Sequence, residues 1–163
     1  MLEQGFKTAH NAYTQNSFSQ AQVLADTPIF CDYQTLDKDF PNSQFIHLTR
    51  APELWLPSIK QLLQRMIVNL KRTDGGFNPH IKRCYSEVFS PLTAENINND
   101  EFLLACYTRH QQGIVEHFKD RPQDLLTIDV SDEGSYFALL SFLNIDKEKQ
   151  ERVVLNKLIL AVR

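Results

Sequence analysis

Residues 40–58 read FPNSQFIHLTRAPELWLPS, and this stretch organises the rest of the chain. A turn around Pro41 leads into the short apolar run of residues 44–49, which is typical of a buried strand. Pro52 then stands in the first turn of a predicted helix, where proline is well tolerated. Arg50 therefore lies between the end of a strand and the start of a helix. In open α/β folds, ligands bind at such junctions.

Arg50 and Ser58 form a candidate phosphate-binding pair within this stretch. Arginine offers a positive charge and a planar fork of donors, and serine adds one neutral donor. The alternative is a surface arginine and an unrelated serine in the helix. The spacing of the two residues alone favours this alternative.

The composition limits the classes of function. The chain has 163 residues, the size of one domain, and a net charge of −3, which argues against broad binding to nucleic acids or anionic membranes. No apolar run has the length of a membrane span, and the first residues lack the features of a signal peptide. The three widely spaced cysteines indicate reduced thiols. We therefore expect a cytoplasmic protein that binds neither nucleic acids nor membranes.

The rest of the chain predicts helices that alternate with strands. Helices are predicted from about Pro28 to Phe40, and over residues 52–72, 101–119 and 136–143, with a kink at Pro57 and a turn at Gly75-Gly76; a second strand is predicted over residues 125–130. Residues 2–10 resemble the end of a helix, residues 11–22 a loop or weak surface helix, residues 77–92 an irregular segment, and residues 147–163 a helical tail. The alternation favours an α/β fold with a parallel sheet flanked by helices. Two convincing strands are too few for a complete sheet.

Other candidate sites are weaker. Asp26 and His10 are candidate general bases because both lie in polar turns near the ends of predicted elements, although capping or surface roles are the stronger interpretation. Cys106, His110 and His117 share a helical face, but no fourth ligand has a suitable spacing, so we predict no metal site. The sequence contains no glycine-rich phosphate loop and no nucleophile elbow.

From Gly5 to about Asn144, the order and spacing of several segments resemble the P-loop sulfotransferases, particularly the bacterial-type members. The resemblance is carried by residues 25–33 and 40–50, by Trp55, and by residues 107–110, 125–130 and 139–143. It implies a P-loop NTPase-like fold and transfer of a sulfonate from 3′-phosphoadenosine 5′-phosphosulfate (PAPS) to an acceptor hydroxyl or amine. Arg50 and Ser58 would hold the 3′-phosphate of this donor. Asp26 occupies roughly the region of the family's catalytic base.

The sequence departs from the family pattern at its start. The family's phosphate loop, of the type glycine-x-x-lysine-x-glycine-threonine-threonine-serine-leucine, holds the reacting end of the donor and does not occur in these 163 residues. We therefore expect residues 1–163 to form a single, partial sulfotransferase-like domain that lacks the first strand and loop and has little activity. The alternative is a non-catalytic module that binds a nucleotide or a protein. The expected partners are a small-molecule or glycan acceptor and a second copy of the chain, with no metal cofactor.

Overall fold

The computed structural model describes residues 5–145 and 158–162, whose strands form one parallel sheet. The strands are β1 (Thr8–His10), β2 (Val23–Ala25), β3 (Gln44–Thr49), β4 (Leu125–Asp129) and β5 (Leu158–Val162). They lie in the order β1-β2-β5-β3-β4, and each pair of neighbours is parallel. The predicted α/β class, with a parallel sheet and helices, is therefore confirmed.

Helices separate the strands along the chain. They are α1 (Gln15–Gln20), α2 (Ile29–Asp39), α3 (Pro52–Lys71), α4 (Pro79–Val88), α5 (Asp100–His117) and α6 (Ser135–Phe142), with short 3-10 turns at Asn96–Asn98 and Pro122–Asp124. The described residues divide into two compact units. We call residues 1–49 and 117–163 the sheet unit and residues 50–116 the helical unit.

The sheet unit has apolar residues on both faces of β3. Because side chains alternate along a strand, neighbouring residues point to opposite faces. On one face lies a buried cluster of Phe6, Val23, Ile46 and Leu143. Phe45 packs instead against Phe118, with 4.7 Å between the ring centroids. Coverage of both faces is the usual environment of a parallel strand.

The helical unit is organised around α3. This helix buries an apolar stripe of Trp55, Ile59, Leu63 and Leu70, as the helical spacing predicts. Its exposed side is joined to the start of α5 by the contact between Lys60 Nζ and Asp100 Oδ1, at 2.8 Å. The Asn99 side chain accepts a hydrogen bond from the backbone N–H of Phe102 and so caps the first turn of α5.

Several predicted elements were wrong. Residues 77–92 are not irregular, since α4 forms there with Asn78 as its cap and Pro79 in its first turn. Residues 8–10 form β1 and not the end of a helix. The tail contains β5 where a helix was expected, and residues 147–157 and 163 of that prediction lie outside the described residues.

Two further features concern the start of α2 and the continuity of α3. Neither Asp26 nor Thr27 caps α2, whose N-cap is Pro28 and has no side-chain hydrogen bond. α3 runs as one helix from Pro52 to Lys71 and includes Pro57. Cys31, Cys84 and Cys106 form no disulfide within the described residues, in agreement with the expected thiols. No helix within the described ranges combines the length and apolar character needed to cross a bilayer.

Candidate functional site

Arg50 is the first residue after β3 and precedes the N-cap of α3. Its side chain is exposed, and within residues 5–145 and 158–162 no hydrogen bond or ion pair involves its guanidinium. Ser58, in the second turn of α3, is also exposed. Both predicted phosphate ligands therefore present their donors to solvent.

The backbone of Arg50 is held by Tyr107 of α5. The Tyr107 hydroxyl donates a hydrogen bond to the Arg50 carbonyl oxygen at 2.6 Å. The same hydroxyl accepts a hydrogen bond from the Arg50 N–H at 3.2 Å. This role of Tyr107 was not predicted from the sequence. The only available signal was a tyrosine on the apolar face of a helix, since a buried tyrosine hydroxyl usually has a partner.

The ring of Trp55 packs against the ring of Tyr107. The two rings are tilted by 31°, and their centroids lie 4.3 Å apart. Each residue is 7% exposed. This stack fixes the first turns of α3, from which Ser58 projects, to α5. An exposed arginine and an exposed hydroxyl on a firmly packed support can bind an anion such as a phosphate.

His10 and Asp26 form a second candidate site in the sheet unit. β1 ends at His10, and Asp26 follows the end of β2, so neighbouring parallel strands bring both residues to the carboxyl edge of the sheet. His10 Nε2 lies 3.3 Å from Asp26 Oδ2. The side chain of Asp26 is 10% exposed and that of His10 is 66% exposed. The structure thus pairs the two residues that the sequence suggested separately as bases.

The turn that carries Asp26 has an unusual backbone. Asp26 has φ +67° and Asn11 has φ +60°, a region that only a few non-glycine residues adopt. The Asn11 side chain accepts a hydrogen bond from the Thr27 N–H at 3.3 Å, and the Asn11 N–H donates to the Ala25 carbonyl at 3.1 Å. These bonds join the turn after β1 to the turn after β2. They hold the Asp26 carboxylate beside His10.

A third charged cluster lies within the sheet unit. The Asp37 carboxylate accepts hydrogen bonds from Arg121 and from His117 Nε2, the latter at 2.9 Å. Burial alone would raise the pKa of Asp37, but the bonds from Arg121 and His117 outweigh it, and the pKa lies below its ordinary value. His117 is thus engaged by Asp37. His117 was considered as a metal ligand from the sequence, and in the structure its partner is the Asp37 carboxylate.

The match to a known family comes from the sequence. The family model described as "Sulfotransferase domain" matches residues 1–151. The chain belongs to this sulfotransferase family. No curated protein and no solved structure gave a significant match. The matched region of this sulfotransferase-family chain includes Arg50, Ser58, His10 and Asp26.

Proposed function

We propose that this chain has the P-loop sulfotransferase fold and binds PAPS as the donor of a sulfonate to an acceptor hydroxyl or amine. The observation that carries the proposal is the exposed Arg50–Ser58 pair at the β3–α3 junction of a sulfotransferase-family domain. The guanidinium would bind two oxygens of the 3′-phosphate, and the hydroxyl would donate to a third. No metal takes part in this binding.

The His10–Asp26 pair is proposed to serve the proton transfer. The acceptor oxygen or nitrogen attacks the sulfur of PAPS, and the bond between sulfur and the bridging phosphate oxygen breaks. Adenosine 3′,5′-bisphosphate leaves with the electron pair of that bond. The acceptor's proton passes to Asp26 or, through it, to His10. Carboxylate and imidazole side chains are both common general bases.

Nucleotide binding is the direct test of this proposal. We expect adenosine 3′,5′-bisphosphate to raise the thermal unfolding midpoint of the chain and to bind measurably by calorimetry. Arg50→Ala should abolish most of this binding, and Ser58→Ala should weaken it. Arg65→Ala is the matched control, because Arg65 is an exposed arginine of the same helix. Equal binding by the Arg50→Ala and Arg65→Ala variants would refute the phosphate role of Arg50.

Turnover is a separate measurement. The family's lysine-containing phosphate loop does not occur in the 163 residues, so we expect these residues to transfer sulfonate slowly. Robust transfer from radiolabelled PAPS would contradict this expectation. Nucleotide binding without any transfer would favour the alternative of a non-catalytic binding module. We further propose that the acceptor is a small molecule or a glycan. The protein is proposed to be cytoplasmic and to associate with a second copy of itself.

A further inference from the structure

The hydroxyl of Tyr107 forms hydrogen bonds with the backbone of Arg50, which lies outside any helix or strand. β3 ends at Thr49 and α3 begins at Pro52, so Arg50 lies in neither element. Backbone groups at such a junction need other partners. A tyrosine hydroxyl can donate and accept at once, and Tyr107 does both for the same residue.

The aromatic ring of Tyr107 extends this support to Ser58. Trp55 stacks on Tyr107, and its backbone N–H donates to the Ala51 carbonyl at 2.9 Å, within the first turn of α3. Ser58 follows Trp55 by three positions, so the two residues are neighbours on the helix surface. One buried tyrosine therefore contacts both the backbone that carries Arg50 and the helix turn that carries Ser58.

We propose that Tyr107 is the positioning residue of the 3′-phosphate site. This inference rests on the proposed function, because it assigns the orientation of the Arg50–Ser58 pair to Tyr107. A binding group must be held within a fraction of an ångström of its productive position. Arginine is long and flexible, so an anchored Cα restricts the space that its guanidinium samples. Loss of the anchor should weaken binding of the 3′-phosphate and leave the rest of the nucleotide unaffected.

The test compares two nucleotides that differ only in the 3′-phosphate. Dissociation constants are measured for adenosine 3′,5′-bisphosphate and for adenosine 5′-monophosphate. Tyr107→Phe keeps the ring and removes the hydroxyl. We expect it to weaken binding of the bisphosphate by about fivefold to tenfold, and to leave binding of the monophosphate unchanged. Tyr85→Phe is the matched control, because Tyr85 is a buried tyrosine of the same unit at 2% exposure.

Two further measurements separate positioning from general damage. Trp55 is the only tryptophan of the chain, so its fluorescence reports whether the stack on residue 107 survives in the Tyr107→Phe variant. Trp55→Phe, which keeps an aromatic ring but reduces the stack, should lower the preference for the bisphosphate by a smaller factor. This second variant supplies the test if Tyr107→Phe does not fold.

The outcomes distinguish this inference from the proposed function. If wild-type protein prefers the bisphosphate and Arg50→Ala loses that preference, the phosphate site exists. If Tyr107→Phe then retains the full preference, the positioning role is wrong and the phosphate site stands. An equal loss of affinity for both nucleotides would also overturn the inference, since it would indicate general structural damage. If wild-type protein shows no preference for the bisphosphate, the proposed function itself fails.

Discussion

Asp26 Oδ2 lies 3.3 Å from His10 Nε2, and the buried partner of this pair is the carboxylate. Thr27 Oγ1 donates to the other carboxylate oxygen, Oδ1, at 3.3 Å. A buried carboxylate beside an exposed imidazole is an arrangement that orients the ring. Both residues were candidate general bases because each was predicted to lie in a polar turn near the end of an element. Their pairing follows from the parallel register of β1 and β2.

The first prediction concerns proton transfer by this pair. Asp26→Asn keeps a residue that tolerates positive φ, so the turn should persist while the carboxylate is lost. We expect Asp26→Asn and His10→Gln each to lower the single-turnover rate of sulfonate transfer by about 10²- to 10⁴-fold. The double variant should be no slower than the worse single variant, because the residues act as a unit.

Binding measurements complete the first prediction. Both variants should retain the wild-type affinity for adenosine 3′,5′-bisphosphate, since neither residue is assigned to the nucleotide. His80→Gln replaces an exposed histidine of the helical unit and should leave the rate unchanged. Wild-type rates in both the Asp26→Asn and His10→Gln variants would remove the pair from the mechanism.

The second prediction concerns acid sensitivity at His47 in β3. This side chain is 3% exposed, and burial lowers its pKa from 6.5 to about 4. Between these two values the unfolded chain binds a proton that the folded chain does not, so stability falls as the pH falls. The full loss from this residue is about 3 kcal/mol. Denaturant unfolding between pH 7 and pH 4 should show it.

A matched pair of variants isolates this effect. His47→Gln removes the titrating group and should flatten the dependence of unfolding free energy on pH in this window. His80→Gln removes an exposed histidine and should leave the slope nearly unchanged. A slope that persists in His47→Gln would show that other groups cause the acid sensitivity.

The parts of the fold that sequence reasoning found are those with long, clear patterns. β3 and α3 have an apolar run and a long apolar stripe, bounded by turns and a proline, and both were predicted. β1 and β2 have three residues each, too few to show alternation. The partners of β5 come from distant parts of the chain, so its central place in the sheet could not be predicted.

Contacts between distant parts of the chain were also not predictable at the candidate sites. Arg50 was singled out by its place after a strand and Ser58 by its place in the following helix, and their phosphate role stays a prediction. The contact that supports Arg50 comes from Tyr107, 57 positions away, and no local pattern connects the two. The pairing of His10 with Asp26 likewise depends on which strands are neighbours. Candidate residues could therefore be singled out from the sequence, but the contacts among their side chains could not.

The third prediction concerns the Asp37 cluster. Its carboxylate is 9% exposed and is bonded to His117 and Arg121. Asp37→Asn removes the charge and should lower the unfolding free energy by about 2 kcal/mol at neutral pH, since hydrogen bonds to charged groups are the stronger ones. Asp39→Asn, an exposed position in the last turn of the same helix, should change it by less than about 0.5 kcal/mol.

The pH dependence of this effect has a definite sign. The pKa of Asp37 is lowered on folding, because the bonds from Arg121 and His117 outweigh burial. Its contribution is therefore complete above the unfolded value of 3.8 and disappears as the pH falls through the folded value. The difference between wild type and Asp37→Asn should shrink in strong acid. A difference that stays constant across this range would contradict the charge-based explanation.

The last prediction concerns the turn after α3. Gly76 has φ +82°, and a Cβ atom at this position would lie 2.5 Å from the Asn69 carbonyl oxygen, which belongs to the backbone. Gly76→Ala therefore adds a clash to an unfavourable backbone conformation, and we expect a loss of about 2–3 kcal/mol in unfolding free energy. Gly5→Ala separates the two causes, since Gly5 has φ +79° with no atom within 4 Å of the added Cβ. Gly5→Ala should lower the unfolding free energy by only about 1 kcal/mol, because it introduces the unfavourable backbone conformation without a clash. Equal losses in the two variants, measured by denaturant unfolding, would show that the close approach to Asn69 relaxes without cost.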